Sequence, residues 1–312
     1  MESQSDSERG TTTLGEVRSV LVLANLQKAA VRDCAAELVP WLRERVETVD
    51  QAGDIEDFER RRSRLAAEAA GRNLPDLVVV LGGDGAILGA VRAFASHPVP
   101  TLGINFGRVG FLASTPRGHW REALEGVLSG EGVLEPRMRL AARIRHVDGS
   151  SASAVALNDL VVSRAVHQGM MVLGLSVEDE WVTDYRADGL IIATPSGSTA
   201  HSLSAGGPIL LSSMRCLVVT PICPQGLSYR PIVLHHESHL RLEVKHTSGA
   251  AVLAVDGQGF YDLGQGDCVE IARHPVPYPL LAWRDLDPYQ RLRERLGWSG
   301  LIAPERLDGI AD

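Results

Sequence analysis

The apolar residues of the chain follow two patterns, and the change comes near residue 133. Before it, short unbroken apolar runs alternate with helix-period segments. The runs at 19–24, 77–81 and 101–104 predict buried strands, because a strand covered on both faces is apolar throughout. Apolar positions three and four apart predict helices at 29–46, 86–95 and 120–128, with a more exposed one at 56–70. This alternation predicts a parallel, Rossmann-like sheet with helices on both faces. Beyond 133 the periodicity is that of strands, over 140–144, 154–162, 171–177, 190–194, 216–220, 240–244, 251–255 and 268–272. A mainly β, sandwich-type domain is the expectation there. The chain turns helical again at 287–296, and a lone helix needs an apolar surface to cover, so it is expected to return to the first domain. The expected division is a tail at 1–15, an α/β domain at 16–132, a mainly β domain at 133–283 and a tail at 284–312 packed on the α/β domain.

Bulk properties narrow the classes. The 312 residues give room for two cores, and 45% hydrophobic with 22% charged residues is a soluble globular balance. A net charge of −8 argues against a nucleic-acid partner, which would leave a basic patch. No apolar run is long enough to span a bilayer. Residues 1–13 are rich in Ser, Thr and Glu with no apolar core, and read as a disordered tail rather than a signal or anchor. The four cysteines form no CxxC pair and read as reduced thiols of a cytoplasmic protein. The ten histidines show no HExxH spacing; His235, His236 and His239 read either as a solvated loop or as a metal-binding group.

The densest chemical signal is Gly82-Gly83-Asp84-Gly85, directly after the strand at 77–81 and before a helix. Glycines let backbone turn tightly and approach a ligand closely, and a following helix presents free N–H groups to anions. An aspartate there orients a hydroxyl or holds a magnesium ion beside phosphates. The same four residues are also ordinary turn chemistry, and both readings stand at this point. A dinucleotide fingerprint is excluded because its third glycine would fall on Leu88, and no GxxxxGK[ST] loop exists. Lysine occurs only at Lys28 and Lys245, so backbone N–H groups, arginine or metal must hold any phosphate.

Three further segments make the signal specific: residues 103–112, from Gly103 through Arg108 and Phe111; Leu157-Asn158-Asp159 inside an apolar strand; and Asp188 through Pro208. With residues 220–224, Asp256-Gly257-Gln258 and the closing Leu296-Gly297-Trp298, they resemble the NAD kinase family, in order, over nearly the whole chain. The resemblance implies phosphorylation of the adenosine 2′-hydroxyl of NAD by ATP, with Mg²⁺ or another divalent cation. It implies Asp84 as the catalytic carboxylate, with Gly82, Gly83 and Gly85 beside the donor phosphates. Arg108 is either a phosphate fork or a surface arginine. Asn158 and Asp159 match a pair that binds vicinal ribose hydroxyls. Asp188 matches a contact to the nicotinamide half, where an Asp-Gly hairpin turn competes. Gly85, Phe111, Thr199, Ala200, His201 and Ser204 complete the implied NAD-binding set, although helix capping explains the Ser/Thr content of that stretch equally well. No metal ligand is assigned. A homodimer or homotetramer through the β domain is expected.

Two residues depart from the family pattern. Ala86 stands where a hydroxyl residue, commonly Thr, follows the glycine-rich turn, and His201 stands where Tyr is typical. The alternatives are a related kinase with a nucleoside or lipid acceptor and a weakly active NAD-binding regulator.

Overall fold

The computed structural model describes residues 14–53, 57, 74–107, 110–165, 170–226, 228–282 and 287–298. The tail at 1–13, the expected helix at 56–70 (save residue 57), Arg108 and residues 299–312 lie outside the described residues. Among the described residues, no helix is long and apolar enough to cross a membrane.

The first sheet contains β1 (Ser19–Ala24), β2 (Thr48–Ala52), β3 (Leu77–Gly82), β4 (Thr101–Asn105) and the short β5 (Thr115–Pro116), all parallel. Helices α1 (Ala29–Arg43) and α3 (Trp120–Leu128) cover one face, where Val20, Val22, Val79 and Ile104 meet Leu38 and Leu124. Helix α2 (Asp84–Ala93) covers the other, where Leu21, Leu23, Val78 and Val80 meet Ile87 and Val91. Burial on both sides is why these strands are continuously apolar.

Two more strands complete this sheet. The order is β2-β1-β3-β4-β19-β6, with β6 (Val133–Arg137) antiparallel to β19 (Tyr278–Ala282) and β19 parallel to β4. The chain therefore leaves the α/β layer through β6, builds the second domain, and returns through β19. The expected divisions at 132/133 and 283/284 assign both strands to the β domain instead. The physical reason is that β6, with Pro136 and two charges in five residues, carries no strand pattern and is tolerated only at a sheet edge. The return is well anchored: Tyr278 is fully buried, its hydroxyl 2.9 Å from Thr101 Oγ1, and burial pushes its phenol up to about 12.

The second domain stacks two six-stranded antiparallel sheets. One comprises β7 (Leu140–Arg145), β8 (Ser151–Ala156), β10 (Met171–Val177), β11 (Glu180–Ala187), β15 (Leu240–Thr247) and β18 (Cys268–Arg273). The other comprises β9 (Asp159–Arg164), β12 (Gly189–Ala193), β13 (Cys216–Ile222), β14 (Ile232–His235), β16 (Ala251–Val255) and β17 (Gly259–Leu263). Leu140, Leu173 and Leu242 of the first pack against Leu160, Leu190 and Leu253 of the second, so the expected sandwich core is present. The expected single strand at 154–162 is instead two: the chain crosses from one sheet to the other at Leu157-Asn158. Its apolar sequence hides the crossing because β9, β12 and β13 are buried on both faces, their outer side covered by Leu210.

The two domains are fastened together. Arg139 is fully buried and donates to the carbonyls of Val276 (2.9 Å) and Ala95 (2.7 Å), while its Nη2 lies 3.1 Å from His274 Nδ1. Helix α5 (Pro288–Leu296) starts at a capping Asp287, which accepts the Tyr289 N–H, and stops at Gly297 with φ +70°. It returns to the first sheet as expected: Arg291 grips Glu135 of β6 with both guanidinium arms, at 2.8 and 3.3 Å.

Candidate active site

Helix α2 begins at Asp84, two residues before the position expected, so the carboxylate sits in its first turn. That carboxylate accepts three backbone N–H groups: Phe111 at 2.9 Å on Oδ2, and Leu112 at 3.1 Å and Ala113 at 3.0 Å on Oδ1. The loop comes so close that a Cβ on Gly110 would stand 1.9 Å from Asp84 Oδ1. Glycine is thus required at 110 by the approach of this one side chain. Asp84 and Phe111 are brought together by that contact, and the Phe111 ring lies 5.6 Å from the Arg295 guanidinium of α5.

The second cluster forms where the chain changes sheets. At Leu157, Asn158 and Asp159 the backbone N–H groups turn away from the strand ladder, and Asp256 accepts all three, at 2.8, 2.7 and 3.0 Å. Asp256 heads the β16–β17 hairpin with φ +50°. The residue is partly exposed, yet protein atoms surround its carboxyl. This desolvation, aided by the neighbouring Asp159, outweighs the three N–H donors and pushes it up to about 6. Gly197 presses against the same crossing, since a Cβ there would lie 2.0 Å from the Asn158 carbonyl oxygen. Thr194 Oγ1 donates to the Leu157 carbonyl at 2.6 Å and accepts the Gly197 N–H at 3.1 Å.

Those bonds leave the side chains of Asn158 and Asp159 aimed elsewhere. Both residues are buried, and Oδ1 of each has no hydrogen-bond partner. Two adjacent buried acceptors without donors are costly unless a ligand supplies them. Asp159 Oδ2 lies 3.2 Å from His201 Nδ1. This hydrogen bond raises the His201 imidazole above its ordinary value, against the opposing effect of burial. His201 opens the short helix α4 (His201–Ser204), which follows the 197–199 turn. Thr199 donates to the Ser196 carbonyl at 3.1 Å, Ala200 is half-buried and Ser204 is exposed. Ser198 is structural: it donates to the Pro195 carbonyl and accepts the Leu210 N–H.

A clasp joins the two clusters. Gln258, two residues past Asp256, donates through Nε2 to the Gly85 carbonyl at 2.9 Å, and Arg92 of α2 donates to the Gln258 carbonyl at 3.2 Å. Between the clusters lies a cleft lined by Phe111, Ser196, Thr199, Arg137 and Arg291. Arg137 is almost wholly buried, pairs with Glu135, and reaches Ser196 Oγ at 3.3 Å. Glu135 thereby serves two arginines, which hold its carboxyl below the usual range against the cost of burial. Sequence reasoning missed this trio and the clasp. Asp256 and Gln258 stand in the Asp256-Gly257-Gln258 motif of the family resemblance, but the motif assigned them no role and its Asp-Gly pair marks a turn equally well.

Asp188 is not part of this assembly. It precedes β12, whose far end pairs Ala193 with Asp159, so about 16 Å of strand separates Asp188 from that cluster. There it pairs with Arg164, Nη2 to Oδ1 at 2.5 Å.

The site therefore comprises a glycine-rich turn opening a helix, a fixed aspartate beside it, and two orphaned acceptors across a clasp. The sequence model of the ATP-NAD kinase N-terminal domain matches residues 20–132, and that of the C-terminal domain matches 157–282. The NAD kinase of Trichlorobacter lovleyi is 36% identical over 287 residues, covering 90% of this chain and 99% of its own. The chain belongs to the NAD kinase family. Its reaction is the family's, phosphoryl transfer from ATP to NAD. Among solved structures, the yeast NADH kinase complexed with NADH superposes with a TM-score of 0.78 at 25% identity, over 91% of this chain and 89% of that one. An NAD kinase from Archaeoglobus fulgidus in complex with ATP shares the fold with a TM-score of 0.68 at 24% identity, over 90% and 97%. Within the NAD kinase pattern, Ala86 is exposed in the first turn of α2, and His201 is held by Asp159.

Proposed function

We propose that the adenosine 2′-hydroxyl of NAD is phosphorylated beside Asp84. The observation that carries this reading is the anchored carboxylate at the start of α2. Three N–H groups occupy three of its roughly four acceptor positions, leaving one for a hydroxyl. Through it Asp84 accepts the hydrogen of the 2′-hydroxyl and takes the proton as that oxygen bonds to the γ-phosphorus of ATP, while the bond from that phosphorus to the β,γ-bridging oxygen breaks and ADP leaves. Gly82, Gly83 and Gly85 admit the donor phosphates to the first-turn N–H groups of α2.

The orphaned Oδ1 atoms of Asn158 and Asp159 accept the two hydroxyls of a ribose. Phe111, Thr199, Ala200, His201 and Ser204 border the adenosine end. The last acceptor position of Asp84 is the hydroxyl's, so a magnesium ion here would be held mainly by the donor phosphates and water, as this ion commonly is. When bound it neutralises charge on the transferring group. Asp188 serves a dinucleotide only from a second copy, which accords with a homodimer or homotetramer through the β domain. The four free cysteines suit the cytoplasm.

The test is to incubate the protein with Mg-ATP and, separately, NAD, NADH, free nucleosides and a diacylglycerol. NADP formed from NAD, and lost in Asp84→Asn, is expected. Product from another acceptor without NADP overturns the reading.

A further inference from the structure

The histidines at the end of β14 belong to neither cluster of the active site. Successive side chains of a strand point to opposite faces, so two adjacent histidines inside one would diverge. β14 ends at His235, however, and the chain turns at once. The Ser238 N–H donates to the His235 carbonyl at 3.0 Å, and the His236 N–H donates to the Arg215 carbonyl at 3.3 Å. The two imidazoles come together at this turn, with ring centroids 4.5 Å apart and planes at 57°. Glu237 joins them, and one ligand atom from each of the three lies within 4.8 Å of the others. Among the described residues, no other three His, Cys, Asp or Glu side chains converge in this way. His239, grouped with the other two in the sequence, is engaged elsewhere. Its N–H donates to Glu178 Oε1 at 2.8 Å, and its Nδ1 lies 3.6 Å from Glu178 Oε2.

Two imidazoles and a carboxylate select the ion. Imidazole suits zinc, nickel and copper, whereas magnesium takes oxygen ligands. At bonds of about 2.0–2.2 Å, ligands on opposite sides of an ion stand roughly 4 Å apart. Small rotations of His235 and Glu237, both exposed, close the present separation to that value. An ion at His235 Nδ1 replaces the Glu237 N–H bond to that atom, which is long at 3.4 Å. Burial, then His235 and Arg273, hold the His236 imidazole below its ordinary value, so it is the neutral ring that ligates. Arg273 and Arg215 also disfavour a cation nearby, and the Glu237 carboxylate offsets them. Three protein ligands leave the remaining positions to water.

We propose that His235, His236 and Glu237 form a binding site for one divalent transition-metal ion of the zinc and nickel class. The site is separate from any magnesium carried by the donor phosphates. β14 is the edge strand of its sheet, three strands from β9, so about 14 Å of sheet lies between this site and Asp159. The turn carries the chain from β14 in one sheet to β15 in the other, and an ion bound there ties the edge of the sandwich at that passage.

The probe is nickel chloride, titrated calorimetrically near neutral pH into the metal-stripped full chain, free of any affinity tag and without nucleotide. One ion per chain is expected. His235→Gln and His236→Gln should each weaken binding about tenfold or more, whereas His239→Gln should stay within about twofold of wild type. Cys223→Ser, which removes the exposed thiol, should also stay within about twofold. Saturating nickel should raise the Tm of the wild type by a few degrees and leave that of His236→Gln unmoved, and magnesium should not displace it. With Mg-ATP and NAD, the metal-stripped His236→Gln variant should make NADP at the wild-type rate. Absence of a one-to-one titration in the wild type overturns the proposal. So does unchanged binding in both histidine variants, or an equal loss in His239→Gln or Cys223→Ser. No nucleotide is present in the titration, so a failure to make NADP would sink the catalytic reading and leave this result standing.

Discussion

Asp84 and Asp256 stand in different domains, and each accepts the backbone N–H groups of three consecutive residues from another segment, 111–113 for one and 157–159 for the other. Their settings differ. Asp84 opens a ten-residue helix at the mouth of a parallel sheet, where a helix N-terminus favours negative charge. Asp256 heads a hairpin in the β domain, where desolvation pushes its carboxyl up to about 6. One hydrogen-bonding device thus serves two ends. The aspartate beside the glycine-rich turn is the one proposed for the chemistry, and the one beneath the sheet crossing fixes the backbone that carries Asn158 and Asp159. Gln258 and Arg92 tie the two together.

The comparison breaks first at Asp84. In Asp84→Asn the amide has one acceptor oxygen for three N–H donors and no base, so turnover should fall on the order of a thousandfold. KM for NAD should also rise several-fold as Phe111 loosens, and faster hydrogen exchange at 111–113 would register that loosening. A loss of turnover under tenfold contradicts the assigned role.

Gly110→Ala should come next. Its methyl would overlap Asp84 Oδ1, and displacing the carboxylate by even an ångström costs about a hundredfold in kcat. Wild-type kcat in this variant would mean that the placement of Asp84 does not matter.

Asp256 is sharpened by pH. Its folded value of about 6 exceeds the ordinary 3.8, so folding favours the protonated form. The stability this supplies is complete below about pH 4 and is lost as pH rises through 6, on the order of 3 kcal/mol in all. Asp256→Asn does not titrate, and Asn tolerates the positive φ. Its Tm relative to wild type should climb by several degrees from pH 4 to pH 7. A constant difference across that range would mean that this carboxyl does not titrate on folding.

The smallest effect concerns His201. Its raised pKa means the charged pair with Asp159 is complete at low pH and is lost as pH rises through the folded value. KM for NAD should therefore fall as pH rises from 6 to 8, and His201→Gln should flatten that slope. An equal slope in both proteins would place the dependence elsewhere.

Much of this was readable before the structure. Val78 to Leu81 are buried on two sides and say so by being apolar throughout, and Asp84 stands out because glycines surround it. The crossing at Leu157-Asn158 was hidden because the strands on either side are apolar for different reasons, one facing the sandwich only and the other buried on both faces. β19 was hidden because its partners, β4 and β6, lie more than a hundred residues back. The role of Asp256 depends on where a hairpin tip lands, and hairpin chemistry alone explains its Asp-Gly. Asp188 illustrates the reverse case: its motif is clear, but β12 carries it to the far end of the strand from Asp159.

The division of labour between the two carboxylates is tested most directly by single-turnover rates at saturating NAD and Mg-ATP, with Asp84→Asn and Asp256→Asn measured side by side. A rate for Asp256→Asn within about tenfold of wild type, against a thousandfold loss for Asp84→Asn, is the predicted result. An equal loss in both would contradict it, and would make the buried carboxyl as much a part of the chemical step as the anchored one.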